Sequence, residues 1–226
     1  VPPLPDRARR AQLGAVAGPE LLPLGTDGVT AHGIRPAAGE RRIAVLGPRG
    51  SGRTTALLAL ARAAHLAGMP VAWVGSDPRR RPAGPPADAM ADPPAALPWP
   101  VLGSSDVDEL VTLRRAHPDL VVIVDDVGRL AETPMGPVLA EIERLVDLDA
   151  GVIAVAATPR EVLEGFRQVA AVVASHGVGV LLGRVSPGEE AALGLRGPVW
   201  GIDHPGRGVL ARAGQAIPLQ LVEPDS

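Results

Sequence analysis

Residues 47 to 54 read Gly-Pro-Arg-Gly-Ser-Gly-Arg-Thr. They satisfy the phosphate-loop pattern G-x-x-x-x-G-K-[ST] at every position except the lysine, where Arg53 stands. The apolar run Ile43 to Leu46 enters the segment and a helical segment, Thr54 to Ala67, leaves it. In that context glycines let successive backbone N–H groups point inward, and the helix N-terminus adds partial positive charge. An anion is then held mostly by backbone. Gly47, Pro48, Arg49, Gly50, Ser51, Gly52, Arg53, Thr54 and Thr55 are therefore the candidate phosphate-binding residues. Thr54 is placed to coordinate Mg²⁺ and Thr55 to hydrogen-bond an α-phosphate, which makes ATP with Mg²⁺ the expected ligand. The plain alternative is a glycine-rich strand-to-helix turn that binds nothing.

Arg53 bears on chemistry more than on binding. A lysine ammonium is compact and follows the β- and γ-phosphates through transfer. A guanidinium is planar and bulkier, and the two are not interchangeable at a tight site. A second element supplies acids: Val121-Val-Ile-Val124 runs into Asp125-Asp126. A carboxylate in that position binds Mg²⁺ through water, and a neighbouring acid orients the attacking water. Asp125 suits the first role and Asp126 is the catalytic candidate. Asp126 is one methylene shorter than a glutamate, about 1.5 Å of reach. Misplacement of that order costs about 100-fold in rate. Thr158 follows the next strand and serves equally as a γ-phosphate sensor or as the cap of a helix beginning at Pro159. Arg184 and Arg207 are candidates to reach a neighbouring subunit's nucleotide, although the default for each is a solvated arginine. The five histidines lie far apart, without metal-ligand spacing.

The elements that must position these residues are legible as alternation. Strands are expected at Ile43–Leu46, Val71–Val74, Leu120–Val124, Val152–Ala156 and Val178–Leu182. Helices are expected near 54–67, 106–117 (capped by Ser104 or Ser105), 137–147 and 160–174. Continuous β-branched runs alternating with helices indicate a parallel sheet covered on both faces. A short hairpin over 21–35 precedes that sheet, and a second one, Gly208–Arg212 with Ile217–Val222, closes the chain. Eight prolines between 76 and 100 exclude helix and central strand there and read as a long surface loop around Trp99-Pro-Val-Leu102. Residues 1–19 read as a lead-in, 20–222 as one domain and 223–226 as a tail.

Composition narrows the classes. The chain has 226 residues with 22 Lys+Arg against 25 Asp+Glu, and every one of the 22 is arginine. Such a bias suits GC-rich coding and weakens any argument from a single Arg. With no cysteine there is no disulfide framework, zinc ribbon or thiol nucleophile. No apolar run approaches the roughly 18 residues a membrane span requires. A charge of -3 speaks against a nucleic-acid binder that depends on overall positive charge. The start at Val1 reads as a fragment of a longer protein.

Taken together, these residues resemble the FtsK/SpoIIIE family of RecA-like motor ATPases. The likeness is strongest to the degenerate modules of actinobacterial members and of EccC, the membrane ATPase of type VII secretion. It rests on Leu22-Pro-Leu-Gly25, Ile43 through Leu58, Val121 to Asp126, Val180-Leu-Leu-Gly183, Pro205-Gly-Arg-Gly208-Val-Leu and Pro218-Leu-Gln-Leu221. The resemblance implies a RecA-like P-loop NTPase: an α/β fold with a mainly parallel central sheet flanked by helices and a C-terminal β-hairpin. It also implies ATP and Mg²⁺ as ligands, and neighbouring ATPase modules of the same or another chain as partners. A small helical secreted protein is a further implied partner. Anchoring at the cytoplasmic face of a bacterial plasma membrane is implied through parts outside these residues. Active members carry Lys, Asp-Glu and a downstream Gln where this chain has Arg53, Asp125-Asp126 and Thr158-Pro159. The expectation is binding with weak or no hydrolysis; the alternatives are a DNA-translocating motor and a structural module with an empty loop.

Overall fold

The computed structural model describes residues 8–9, 22–75, 97–148, 150–165, 168–196 and 206–223. Most of the expected lead-in, the segment 76–96 of the proline-rich loop, Pro205 and the tail from 224 lie outside the described residues. In chain order the strands are β1 (Ala8–Arg9), β2 (Leu22–Thr26), β3 (Ala31–Ile34), β4 (Arg42–Leu46), β5 (Val71–Val74) and β6 (Val101–Leu102). They continue with β7 (Val121–Val124), β8 (Val152–Ala157), β9 (Val178–Leu182), β10 (Arg207–Arg212) and β11 (Gln215–Glu223). The helices are α1 (Arg53–Leu66), α2 (Val107–Ala116), α3 (Val127–Leu130), α4 (Met135–Leu145), α5 (Pro159–Glu164) and α6 (Val169–His176).

All these strands join one sheet, ordered β3-β2-β11-β10-β9-β4-β8-β7-β5-β6, with β1 beside β11. From β9 to β6 every neighbouring pair is parallel. From β9 outward through β10, β11, β2 and β3 every pair is antiparallel. The parallel half consists of buried apolar runs with helical crossovers, as strands covered on both faces require. The two hairpins expected from sequence form the antiparallel wing and extend the same sheet.

Alternate side chains separate two cores. Ile43, Val45, Trp73, Ile123 and Val180 pack on one face with Leu57 and Leu60 of α1. Ala44, Leu46, Val122, Val124 and Ile153 pack on the other with Leu110 of α2, Leu139 of α4 and Val173 of α6. α1 has glycine-loop geometry at its start and alanine or leucine at nearly every later position, so it buries a broad face against β2, β8 and β11. Trp99 closes that side, edge-on to His65 at 5.7 Å between ring centroids.

Four expectations need correction. The helix expected over 160–174 is two, because α5 ends at Gly165, where a Cβ would strike the Glu161 carbonyl and lie 2.8 Å from Gln168 Oε1. Neither Ser104 nor Ser105 caps α2; both sit in a turn closed by Asp106, whose carboxylate accepts the Gly103 N–H at 2.7 Å. Ala8–Arg9, inside the expected patternless lead-in, pair in parallel with Val222 and Glu223. Val101–Leu102 form an edge strand on β5 rather than loop.

The β2–β3 turn is organised by Asp27, which accepts the N–H groups of Val29 and Thr30 and contacts His32 Nε2 at 2.9 Å. These contacts, the His32 bond foremost, lower its pKa to about 2 from 3.8. A depressed folded pKa means the stabilisation is complete above 3.8 and disappears as pH falls toward 2. Thermal melts should therefore show Asp27→Asn less stable than the unsubstituted protein above pH 4, with the two converging near pH 2.

Candidate functional site

Parallel strands end along one edge, and ligands in open α/β sheets bind outside those carboxyl ends. β4, β7, β8 and β9 deliver Gly47–Gly52, Asp125-Asp126, Thr158 and Gly183 to that edge. Leu46 stands opposite both Ala157 and Leu181, and the Gly47 N–H donates to the Ala157 carbonyl at 3.3 Å, so the loop starts from a fixed point. A Cβ at Gly47 would strike Ser51 Oγ and lie 2.5 Å from the Leu182 carbonyl, so only glycine fits. The Ser51 N–H then donates to Pro48 O, Gly50 and Gly52 take φ of 78° and 96°, and α1 begins. Positive φ at both positions is open to glycine at no steric cost. Nothing lies within 4 Å of a Cβ built on Gly50 or Gly52, so the space over the loop is clear. Pro48, Arg49 and Gly50 are exposed, as are Thr54 and Thr55. Ser51 Oγ is buried and unpaired, turned toward Gly47 and Gly183 rather than to solvent.

The two halves of the expected site meet. Thr54 Oγ1 donates to Asp125 Oδ2 at 3.0 Å. Asp125 is in turn tied to the sheet by its own N–H, which donates to Val74 O at 2.9 Å. Burial pushes the Asp125 carboxyl upward, opposed chiefly by the Thr54 hydrogen bond and helped by the negative charge of Asp126. A buried carboxylate beside a hydroxyl is a donor set that suits Mg²⁺ with water, and a cation there would relieve the burial of that charge. Among the described residues no group of three or more His, Cys, Asp or Glu could hold a metal by itself. Thr54 and Asp125 would thus hold Mg²⁺ only together with a phosphate ligand.

Arg53 crosses to the acids. Its side chain is 10% exposed and its Nη2 lies 3.5 Å from Asp126 Oδ1. Asp126 itself sits at φ 53°, a left-handed conformation in which aspartate is less disfavoured than most residues. The base candidate is thus oriented toward an arginine. Thr158 is engaged as a cap: its hydroxyl accepts the Glu161 N–H while the Glu161 carboxylate accepts the Thr158 N–H, a reciprocal capping box. Glu161 was not expected at the site, although the spacing Thr-x-x-Glu before an apolar run carries that signal. Gly183, also unexpected, has φ 68°, and a Cβ there would lie 3.0 Å from Ser51 Cβ. Its N–H donates to Arg207 O at 3.2 Å, which brings the start of β10 to the same edge. Arg184 is exposed and Arg207 half-buried.

A glycine-rich loop after β4, acids after β7 and one strand, β8, between them are the arrangement of a RecA-like α/β fold. Comparison with solved structures agrees. The cytoplasmic domain of EssC matches the whole chain at 14% identity with a TM-score of 0.76, over 49% of that chain. The cytoplasmic domain of the Thermomonospora curvata type VII secretion ATPase EccC matches at 18% identity and 0.68, over 29% of its length. ATPases 2 and 3 of the same EccC, solved with a signal-sequence peptide, match at 17% and 0.66, over 45%. The chain spans half or less of the length of these proteins, and it shares their fold. No family model matches, and no curated protein does. No helix among the described residues is long and apolar enough to cross a membrane.

Two outcomes follow from this geometry. Replacing Thr158 by Ala removes the capping box and should cost about 1 kcal/mol of stability in chemical denaturation. Asp125→Asn should raise the melting temperature at pH 7, because it removes a charge that burial disfavours. An acid whose folded pKa is raised destabilises when ionised, so the gain should fade as pH falls through the raised value and vanish below 3.8. The same variant should lose the Mg²⁺ dependence of ATP binding in titration calorimetry.

Proposed function

We propose that this chain is an ATP-binding module of the FtsK/SpoIIIE type, with weak or no hydrolysis, within a membrane-anchored type VII secretion ATPase. In this reading residues 20–222 form the module, at the cytoplasmic face of a bacterial plasma membrane. Its ligands are ATP and Mg²⁺. Its work is assembly with neighbouring ATPase modules, regulation of them, or capture of a small helical secreted protein. Support for the assembly and capture roles comes from the shared fold with EssC and EccC, one of whose structures contains a signal-sequence peptide.

The observation that carries binding without turnover is the pair of side chains at the transfer position, a guanidinium where a lysine would stand, 3.5 Å from the short acid Asp126. Apart from the Gly47 and Ser51 N–H groups, which donate to Ala157 O and Pro48 O, and from Pro48, which has none, the amides of the loop and the start of α1 offer an anion site that does not depend on a lysine. Transfer does need a charge that follows the γ-phosphate and a base aimed at water. Here the residue in the lysine position and the base candidate face one another. Arg53, Thr54 and Asp125 then hold the triphosphate with its cation, while Asp126, one methylene shorter than a glutamate, falls short of the water a base must activate.

The test is ATP binding and turnover on the purified chain with Mg²⁺. Calorimetry should detect binding while phosphate release stays at the uncatalysed baseline. Gly52→Glu places a carboxylate in the anion site at a positive φ and should weaken binding by about 100-fold, roughly 2.7 kcal/mol. Thr54→Ala should weaken binding only when Mg²⁺ is present. Rapid turnover stimulated by duplex DNA would instead favour a translocating motor. Absence of binding at millimolar ATP would leave a structural module.

A further inference from the structure

We infer that Arg53 has two positions, held by Asp126 in the free protein and given up to a phosphate when nucleotide binds, and that the exchange frees the start of α3. The inference rests on the nucleotide reading proposed above and adds to it a conformational output. Arg53 is the first residue of α1, immediately after Gly52, so it belongs to the anion site by sequence. Its guanidinium nevertheless reaches Asp126 at 3.5 Å, the long end of an ion pair. A phosphate over the loop and the Asp126 carboxylate therefore compete for one cation. Phosphate carries more charge than the carboxylate, whose single contact is long, so it prevails.

What Asp126 releases is the start of a short helix that is anchored in the core by Val127 and Leu130 but has no side-chain cap. α3 has only four residues, and Asp126 stands at its N-cap position without a side-chain hydrogen bond to the helix. At the left-handed dihedrals of Asp126 the carboxylate lies toward Arg53 and not over the helix start, so the ion pair and not a cap fixes where the chain enters α3. Asp126 also holds φ 53°, ψ 52°, a conformation that persists only where the surroundings impose it. Beyond it, Gly128 lies against Glu161: a Cβ on Gly128 would be 2.6 Å from Glu161 Oε1. Glu161 is the partner of Thr158 in the capping box at the end of β8. Val127 and Gly128 line a cavity of about 250 Å³ with Leu139, Ala140 and Ala170. Release of Asp126 thus alters the wall of that cavity and the packing on Glu161. The short helix is the two-state element through which a phosphate on one side of the sheet edge is felt in the groove on the other.

Amide hydrogen exchange of residues 127–131 reads this directly. In the nucleotide-free chain, Arg53→Met and Asp126→Asn should each speed exchange of these amides by about fivefold, the size of one part-exposed ion pair. Asparagine tolerates the left-handed conformation, so the second variant removes charge without adding strain. ATPγS with Mg²⁺ should produce the same acceleration in the unsubstituted chain. Asp126→Asn should bind ATPγS about fivefold tighter, because the competitor for Arg53 has been removed; a merely structural ion pair would not give that gain. Unchanged exchange in both free variants overturns the latch, whatever the ligand does. Equal or weaker ATPγS binding by Asp126→Asn overturns the exchange of partners. If ATPγS fails to bind the unsubstituted chain at millimolar concentration, the nucleotide reading falls and the exchange of partners with it. The free-protein exchange rates still decide whether the pair holds α3.

Discussion

β4 is hydrogen-bonded to β8 on one side and to β9 on the other, and the phosphate loop inherits its geometry from that double anchorage. Five residues of β4 are paired with β8 and four with β9, so Leu46 cannot slide relative to Ala157 or Leu181. A one-residue slip would send Ile43 and Val45 to the opposite core. With Leu46 fixed, Gly47 leaves the sheet at a point where backbone from β9 leaves no room for a side chain. The loop, the start of α1 and the reach of Arg53 all descend from that point.

Around this anchor, charge is arranged economically. The edge holds two adjacent carboxylates, Asp125 and Asp126, and Arg53 faces one of them. Asp125 keeps the Thr54 hydroxyl, and burial makes its negative charge unfavourable until a cation arrives. Each acid thus has a separate partner: a hydroxyl where a metal would sit and a guanidinium where a base would work. Binding and transfer place different demands on this edge. Under the proposed function, backbone amides and a hydroxyl–carboxylate pair serve the first, whereas the second calls on side chains that here face each other.

Elsewhere the sheet divides its labour. The parallel half carries every loop of the candidate site, and its two faces are covered by α1 on one side and by α2, α4 and α6 on the other. The antiparallel wing continues the same hydrogen-bonded surface through β10, β11, β2 and β3. It also reaches the site, since Gly183 is bonded to Arg207 at the start of β10 and crowds Ser51 from behind. Arg42, at the far end of β4, binds Glu143 and Asp147 at 2.6 Å each and ties the strand to the end of α4. β4 is therefore fixed at both ends.

Much of this was readable in one dimension, for identifiable reasons. The parallel strands are continuous apolar runs, and both hairpins carry glycine at their turns, so local pattern sufficed for them. The glycines at 50 and 52 report their own backbone requirement, because φ of 78° and 96° selects residue type directly, whereas Gly47 is required by the crowding of Ser51 and the Leu182 carbonyl. Local pattern failed where short-range competition decides. Gly165 broke one expected helix in two, and Asp106 took the turn that a serine was expected to cap. Ala8–Arg9 and Val101–Leu102 are strands only because a partner strand lies alongside. The residues of the candidate site, including Arg53, Asp125, Asp126 and Thr158, are proposed from type and spacing, and the fold brings them to one edge of the sheet. Their pairings were not legible that way: Arg53 and Asp126 are 73 positions apart, and no periodicity links them. Residue identity settled which chemistry is available at the edge of the sheet. Only the packing of α1 against a sheet that sets β4 and β7 one strand apart decided which charges meet, because distance between side chains belongs to the tertiary structure.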